Sequence, residues 1–207
     1  MKILHTADWH LGRSLGGFNL LDDQRHSIDQ ILEELRSADY DVFIIAGDIF
    51  DRPVPPVEAL SLFDDVLQTV ADLENLATII IPGNHDQAER LKFGSSFLQQ
   101  SGIRIVTDLD QAFEPIVISS KSNEEISFFA CPFIECSRAR TVWDNSAIKT
   151  QQEAYDFLAE KIAQEFPNQR KWLIAHAFVE GASTSDSERI LTVGGSESVR
   201  ADTFDCF

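Results

Sequence analysis

With 207 residues, 43% of them hydrophobic, the chain has material for one sizeable core, and no apolar run approaches the length of a membrane span. A net charge of −17 repels phosphodiester backbones, so composition alone argues against nucleic-acid binding unless cations, a basic patch or a partner supply the positive field. The first apolar segment begins almost at Met1, which predicts no signal peptide, no membrane association and a cytoplasmic location; Cys131, Cys136 and Cys206 match no disulfide or zinc spacing.

Residues 2–6 read as a first strand, followed at once by Asp8-Trp9-His10. Residues 21–36 carry Ile28, Ile31, Leu32 and Leu35 at helical spacing, with Asp22 and Asp23 near the positive end of the dipole. A second strand over 41–46 stops at Gly47-Asp48-Ile49-Phe50-Asp51, and a helix over 57–72 follows, its inward face Leu60, Phe63, Leu67 and Val70. Residues 78–81 form a third strand ending in Pro82-Gly83-Asn84-His85-Asp86. Helical turns over 89–100, a short strand at 103–106 and a hairpin pairing 113–119 with 126–131 come next. Thr150 and Glu153 have the spacing of a capping box for a helix to about 165, and a strand over 171–175 ends in His176. Gly194-Gly195 marks a later turn, and the sequence contains no phosphate-binding loop of the Gly-Lys-Ser/Thr type.

Four apolar runs thus end in groups able to bind metal. If the four strands share one parallel sheet, their carboxyl ends meet on one rim, where α/β sheets hold ligands. Asp8 and His10 stand two apart, so in extended backbone they face the same side and can hold one cation. Asp48 has two oxygens to share between cations, and Asn84 and His176 serve the second. This donor mixture suits manganese, iron or zinc and fits calcium poorly. A pair of such ions roughly 3.5–4 Å apart clamps an in-line displacement at phosphorus, which is phosphoester hydrolysis.

His85 can hardly share its neighbour's cation, and its role is to protonate the leaving oxygen or stabilise the transition state. Asp51 and Asp86 are candidates for orienting imidazoles. Arg13 could reach a substrate phosphate, although an ordinary surface arginine is the simpler reading. Singly, Asp48 could be a turn former, Asn84 a left-handed residue beside Gly83, and His176 a satisfied histidine. Four coincident strand ends count against chance placement. His5 reads as a core or supporting histidine, His26 as structural, and Asp108 and Asp110 as a solvated turn.

The order Asp8-x-His10, Gly47-Asp48-x-x-Asp51, Gly83-Asn84-His85-Asp86 and a later His176 resembles the calcineurin-like metallophosphoesterase superfamily. The stretches from Ile3 to Gly12 and from Ala46 to Asp51, with the Gly194-Gly195 region, are similar to its SbcD branch of bacterial nuclease subunits. The resemblance covers most of the chain and implies an α/β fold of two packed β-sheets flanked by helices, in four layers (αββα). It further implies a manganese-dependent DNA exonuclease and endonuclease that trims ends and opens hairpins in repair and recombination. Such subunits are homodimeric and work with an SbcC-type coiled-coil ATPase.

The superfamily pattern carries a Gly-His-x-His motif after His176, and no histidine follows His176 here. The expectation is therefore a metallophosphoesterase domain over 1–207 that stops before that motif, without the cap and ATPase-docking regions. Each cation would lack one ligand and activity would be weak. Two other functions fit the same residues: a phosphodiesterase or phosphatase acting on small nucleotides, and a catalytically silent scaffold that binds protein.

Overall fold

The computed structural model describes residues 1–181 and 198–207, so the expected turn at Gly194-Gly195 lies outside the described residues. In chain order, strand β1 (Ile3–Thr6) leads into a small hairpin, β2 (Ser14–Leu15) and β3 (Phe18–Asn19), and then helix α1 (Leu21–Ser37). Strand β4 (Val42–Ala46), helix α2 (Val57–Ala71) and strand β5 (Ala77–Ile81) continue the alternation. Two short helices, α3 (Ala88–Lys92) and α4 (Ser95–Leu98), precede β6 (Ile103–Ile105). There follow β7 (Ile116–Ser119), β8 (Glu125–Cys131), α5 (Cys136–Val142), α6 (Gln151–Glu165), β9 (Lys171–Ala175), β10 (Phe178–Val179) and β11 (Ser198–Val199).

The strands form a four-stranded sheet, β1-β4-β5-β6, and a three-stranded sheet, β7-β8-β9. The first is parallel throughout; in the second, β8 is antiparallel to β7 and parallel to β9. The fourth metal-ended strand, β9, therefore belongs to the second sheet and not to a single shared one.

Side-chain alternation explains the layering. From β4, Phe43 and Ile45 point to the face covered by α1 and α2, joining Ile28, Leu32, Leu62 and Val66. Val42, Ile44 and Ala46 point the other way and meet Phe128, Ala130 and Ile174 of the second sheet. The far face of that sheet offers Phe129 and Cys131 to Tyr155, Leu158 and Ile162 of α6. The result is helix, sheet, sheet, helix, and β4 is buried at all five positions because it is covered on both faces.

Several local expectations are corrected. The buried face of α2 is Ala59, Leu62, Phe63, Val66 and Val70, while Leu60 and Leu67 sit at its margin. Asp108 is no solvated turn: it caps the short helical turn Leu109–Phe113 in a capping box with Gln111. It also receives Lys92 Nζ at 2.7 Å and an Arg138 nitrogen at 3.2 Å. His5 is exposed instead of lying in the core, because β1 is an edge strand. Helix α6 begins in the Thr150–Glu153 capping box as its sequence predicts. Helix α5 was not anticipated; its seven residues carry a single buried side chain, Ala139, too few for a visible period.

Phe128 is fully buried between the sheets. Phe128→Ala should lower unfolding free energy by about 3–5 kcal/mol in urea denaturation; a loss under about 1 kcal/mol would contradict a packed sheet-to-sheet interface.

Candidate metal centre

Parallel register brings the ends of β1, β4 and β5 to one rim, with Thr6 beside Ile45 and Ala46 beside Ile81. Strand β9 arrives from the second sheet, and its last residue is followed by His176, whose Nδ1 lies 2.8 Å from the Ala46 carbonyl. A carbonyl accepts only, so the proton sits on Nδ1. In the neutral ring Nε2 and Asn84 Oδ1, 3.1 Å apart, are then both acceptors with no proton between them, so the two lone pairs are available to a shared cation rather than to each other. The rims of both sheets thus contribute to one cluster even though the strands do not share a sheet.

Asp8, His10 and Asp48 all adopt left-handed backbone, with φ of 57°, 46° and 50°. The extended geometry expected for Asp8 and His10 is therefore replaced by a tight loop. Such residues are uncommon outside glycine, and the strain persists where surrounding contacts fix it. Here the two loops hold each other: Asp8 N donates to Gly47 O at 3.0 Å, His10 N to Asp48 O at 2.9 Å and Leu11 N to Ile49 O at 2.8 Å.

Glycine is required at two points. A Cβ on Gly47, whose φ is +93°, would lie 2.4 Å from His176 Nδ1, and one on Gly83 would lie 2.2 Å from Asp48 Oδ1. Asp86 sits behind them and accepts from the backbone of Ile49, Phe50 and Gly83 at 3.1, 2.9 and 2.9 Å. Burial pushes its carboxyl pKa up, three N–H donors oppose this, and the charge of Asp48 adds to the rise.

Asp48 is buried, and imidazoles surround it. His10 Nε2 lies 3.6 Å away, His176 Nε2 3.6 Å and His85 Nε2 3.9 Å. His10 Nε2 is also 3.8 Å from Asp8 Oδ1, and His10 Nδ1 is 3.8 Å from Asp51 Oδ1. These separations are too long for hydrogen bonds. Two donors each about 2.1 Å from one cation lie roughly 3.0 Å apart at a right angle and 3.6 Å at 120°, so the spacing fits shared cations.

Two further observations agree with that fit. His10 Nδ1 is buried with no hydrogen-bond partner among the described residues. Burial also lowers the His10 pKa, and neighbouring His85 adds to the effect against the pull of Asp48, Asp8 and Asp51. A neutral imidazole is the form that binds metal. The side chains fall into two sets, Asp8 with Asp48 and His176, and His10 with Asp51 and His85. His10 adjoins both sets, since its Nε2 faces Asp8 and Asp48 at 3.8 and 3.6 Å while its Nδ1 faces Asp51 at 3.8 Å; Asp86 stays behind the cluster as a backbone anchor.

A cavity of about 530 Å³ opens over the cluster, with Asp8, His10, Asp48, Asn84, His85 and His176 in its lining. Arg13 lines the same cavity, and so does His5. His26 is remote from it, on the exposed face of α1, where Nε2 meets Gln30. His85 Nδ1 donates to Asp51 O at 2.9 Å, which turns Nε2 toward Asp48.

Gln24 was missed by sequence reasoning. Its Nε2 donates to the carbonyls of Trp9 and His10 at 3.0 and 2.7 Å, and its Oε1 accepts from Gly12 N at 3.0 Å. It clamps the strained loop from helix α1. A lone glutamine among the polar residues of a helix carries no sequence signal for this role.

A model of the calcineurin-like phosphoesterase family matches residues 1–198. The chain is also similar to SbcD of the SbcCD nuclease from Staphylococcus epidermidis, with 36% identity over 208 residues, covering 100% of this chain and 54% of that protein. It therefore spans about half the length of that curated relative.

The geometry makes the two supports separable. Gly47→Ala should weaken divalent-metal binding in calorimetric titration and cost about 1–3 kcal/mol of stability through its strained φ alone. Asp86→Ala should cost upward of about 3 kcal/mol by orphaning three N–H donors. Wild-type metal affinity and melting temperature in either variant would refute the bracing described.

Proposed function

The chain belongs to the calcineurin-like phosphoesterase family, and from that premise we propose that it is the nuclease subunit of an SbcCD-type complex. Residues 1–207 serve as its metallophosphoesterase domain, cleaving phosphodiester bonds at DNA ends and hairpins in the cytoplasm. The family implies divalent metal, and manganese is the proposed ion. The observation that carries the reading is the buried Asp48 carboxylate facing His10, His85 and His176 at 3.6, 3.9 and 3.6 Å.

On this reading Asp8, His10 and Asp48 hold one cation, and Asp48, Asn84 and His176 the other. When bound, the pair supplies Lewis-acid stabilisation of the phosphoryl group and a water of lowered pKa. The chain's own groups then do the rest. His85, fixed through Nδ1 on the Asp51 carbonyl, keeps Nε2 free to pass a proton to the leaving oxygen once protonated. Arg13 on the cavity wall binds a substrate phosphate oxygen. Asp51 orients His10, and Asp86 holds the two loops that present Asp48 and Asn84.

The partner is an SbcC-type coiled-coil ATPase, supplying the nucleotide chemistry for which this sequence has no phosphate-binding loop. The name of the staphylococcal relative, one component of a complex, supports this. A homodimer of the subunit is supported by the outward-facing apolar side chains of Phe93 and Phe97, 91% and 77% exposed, and of Val57. A second reading, hydrolysis of small nucleotide esters, is favoured by the net charge of −17, which opposes a polyanionic substrate.

The full-length gene product with manganese should open hairpin DNA and degrade its ends; turnover of only a chromogenic phosphodiester would sink the nuclease reading. His85→Ala should retain metal yet lose cleavage at least about 100-fold, whereas Asp48→Ala should lose metal as well. Normal cleavage by the first variant, or normal metal occupancy in the second, would contradict the assignment.

A further inference from the structure

The hairpin β2–β3 exposes two large apolar side chains beside the metal cavity. Leu15 is 66% and Phe18 77% exposed, and they are direct cross-strand partners, so they share one face. Gly16 and Gly17 join them with φ of 57° and 87°, the left-handed pair that a two-residue hairpin turn demands. A two-stranded hairpin gains little stability by itself, and most of the surface of these two side chains stays outside the fold. Their placement at a tip needs another cause.

The base of the hairpin is part of the metal loop. Arg13 N donates to the His10 carbonyl at 3.1 Å, and Leu20 N donates to the Arg13 carbonyl at 3.1 Å. Asn19 Oδ1 accepts from Leu21 N at 3.0 Å, closing the return into α1. Arg13 lines the cavity, and Leu15 follows it by two residues, within roughly 7 Å of chain. The local charge is also distinctive. Residues 9–21 contain no aspartate or glutamate and one arginine, in a chain whose net charge is −17.

We propose that Leu15 and Phe18 form a wedge that stacks against nucleobases of an unpaired DNA strand whose phosphate enters the adjoining cavity. The proposal rests on the nuclease reading. An acidic protein gains little from counterion release, and stacking on an apolar or aromatic face is a sequence-tolerant source of affinity that needs no positive charge. A carboxylate-free segment continuous with the cavity wall is where a polyanion can approach this surface. The wedge engages a strand with exposed base faces and has no purchase on a fully stacked duplex, so it directs the site to frayed ends and hairpin loops.

The test compares kcat/KM of the full-length, manganese-loaded protein on a single-stranded oligonucleotide with that on bis(p-nitrophenyl) phosphate. Phe18→Ala should lower the DNA-to-ester ratio about five-fold or more, mainly through KM, and Leu15→Ser should act in the same direction. The deficit should persist when salt is raised, and Phe18→Trp should restore the ratio. An unchanged ratio overturns the wedge while leaving the nuclease reading intact. Equal losses on both substrates overturn it too, by showing that the hairpin only braces the His10 loop. Loss of binding to a protein partner with an unchanged ratio makes the tip a protein contact instead. A wild-type protein that cleaves the ester but no DNA removes the nuclease reading, and the wedge with it.

Discussion

The His176 imidazole lies across the boundary between the two sheets, one nitrogen on the Ala46 carbonyl and the other against Asn84 Oδ1. Everything at the candidate centre depends on that crossing. Strands β1, β4 and β5 could align their ends by register alone, but β9 belongs to the other sheet and can arrive only if the sheets are packed face to face. The apolar layer of Val42, Ile44, Ile79, Phe128 and Ile174 fixes that packing. A further tie, Phe133 N donating to Pro82 O at 3.0 Å, fastens the same edges. Core packing and chemistry are therefore one problem here: a change in sheet separation would move His176 away from Asp48.

Close approach has a local cost, and the loops carry it openly. Asp8, His10 and Asp48 occupy left-handed backbone, while Gly47 and Gly83 leave no room for a side chain. The strain is contained by interlocking hydrogen bonds between the loops, by Asp86 from behind and by Gln24 from the side. What this gains is preorganisation: acidic and imidazole groups are held 3.6–3.9 Å apart before any cation neutralises them. A family built on divalent metal needs such a frame, since loose ligands would have to be ordered at each binding event.

Much of this could be read from the chain. Apolar runs ending in Asp8, Asp48, Asn84 and His176 announced the rim, because a buried strand must be apolar until it emerges and polar where it does. Helices α1 and α6 declared themselves through 3.6-residue spacing and the Thr150 cap. What stayed hidden lacked periodic or compositional trace. Which sheet β9 joins depends on tertiary pairing, which strand sequence alone does not encode. The left-handed turn at Asp8 is set by partners in another loop, and on α2 the apolar residues outnumber those one face can bury, so spacing alone did not separate Leu62 and Val66 from the marginal Leu60 and Leu67. Gln24 acts through one side chain on a helix, and nothing in its neighbours' types distinguishes it from a surface residue, whereas Asp108 and Gln111 do have the spacing of a capping box.

The central claim is that one carboxylate, Asp48, joins two cation sites into a single centre. Electron paramagnetic resonance of the full-length protein titrated with manganese tests this most directly. The account predicts a spin-coupled pair, as expected of ions roughly 3.5–4 Å apart, whose coupling disappears in Asp48→Ala. Signals of isolated, uncoupled manganese at full occupancy in the wild type would contradict it.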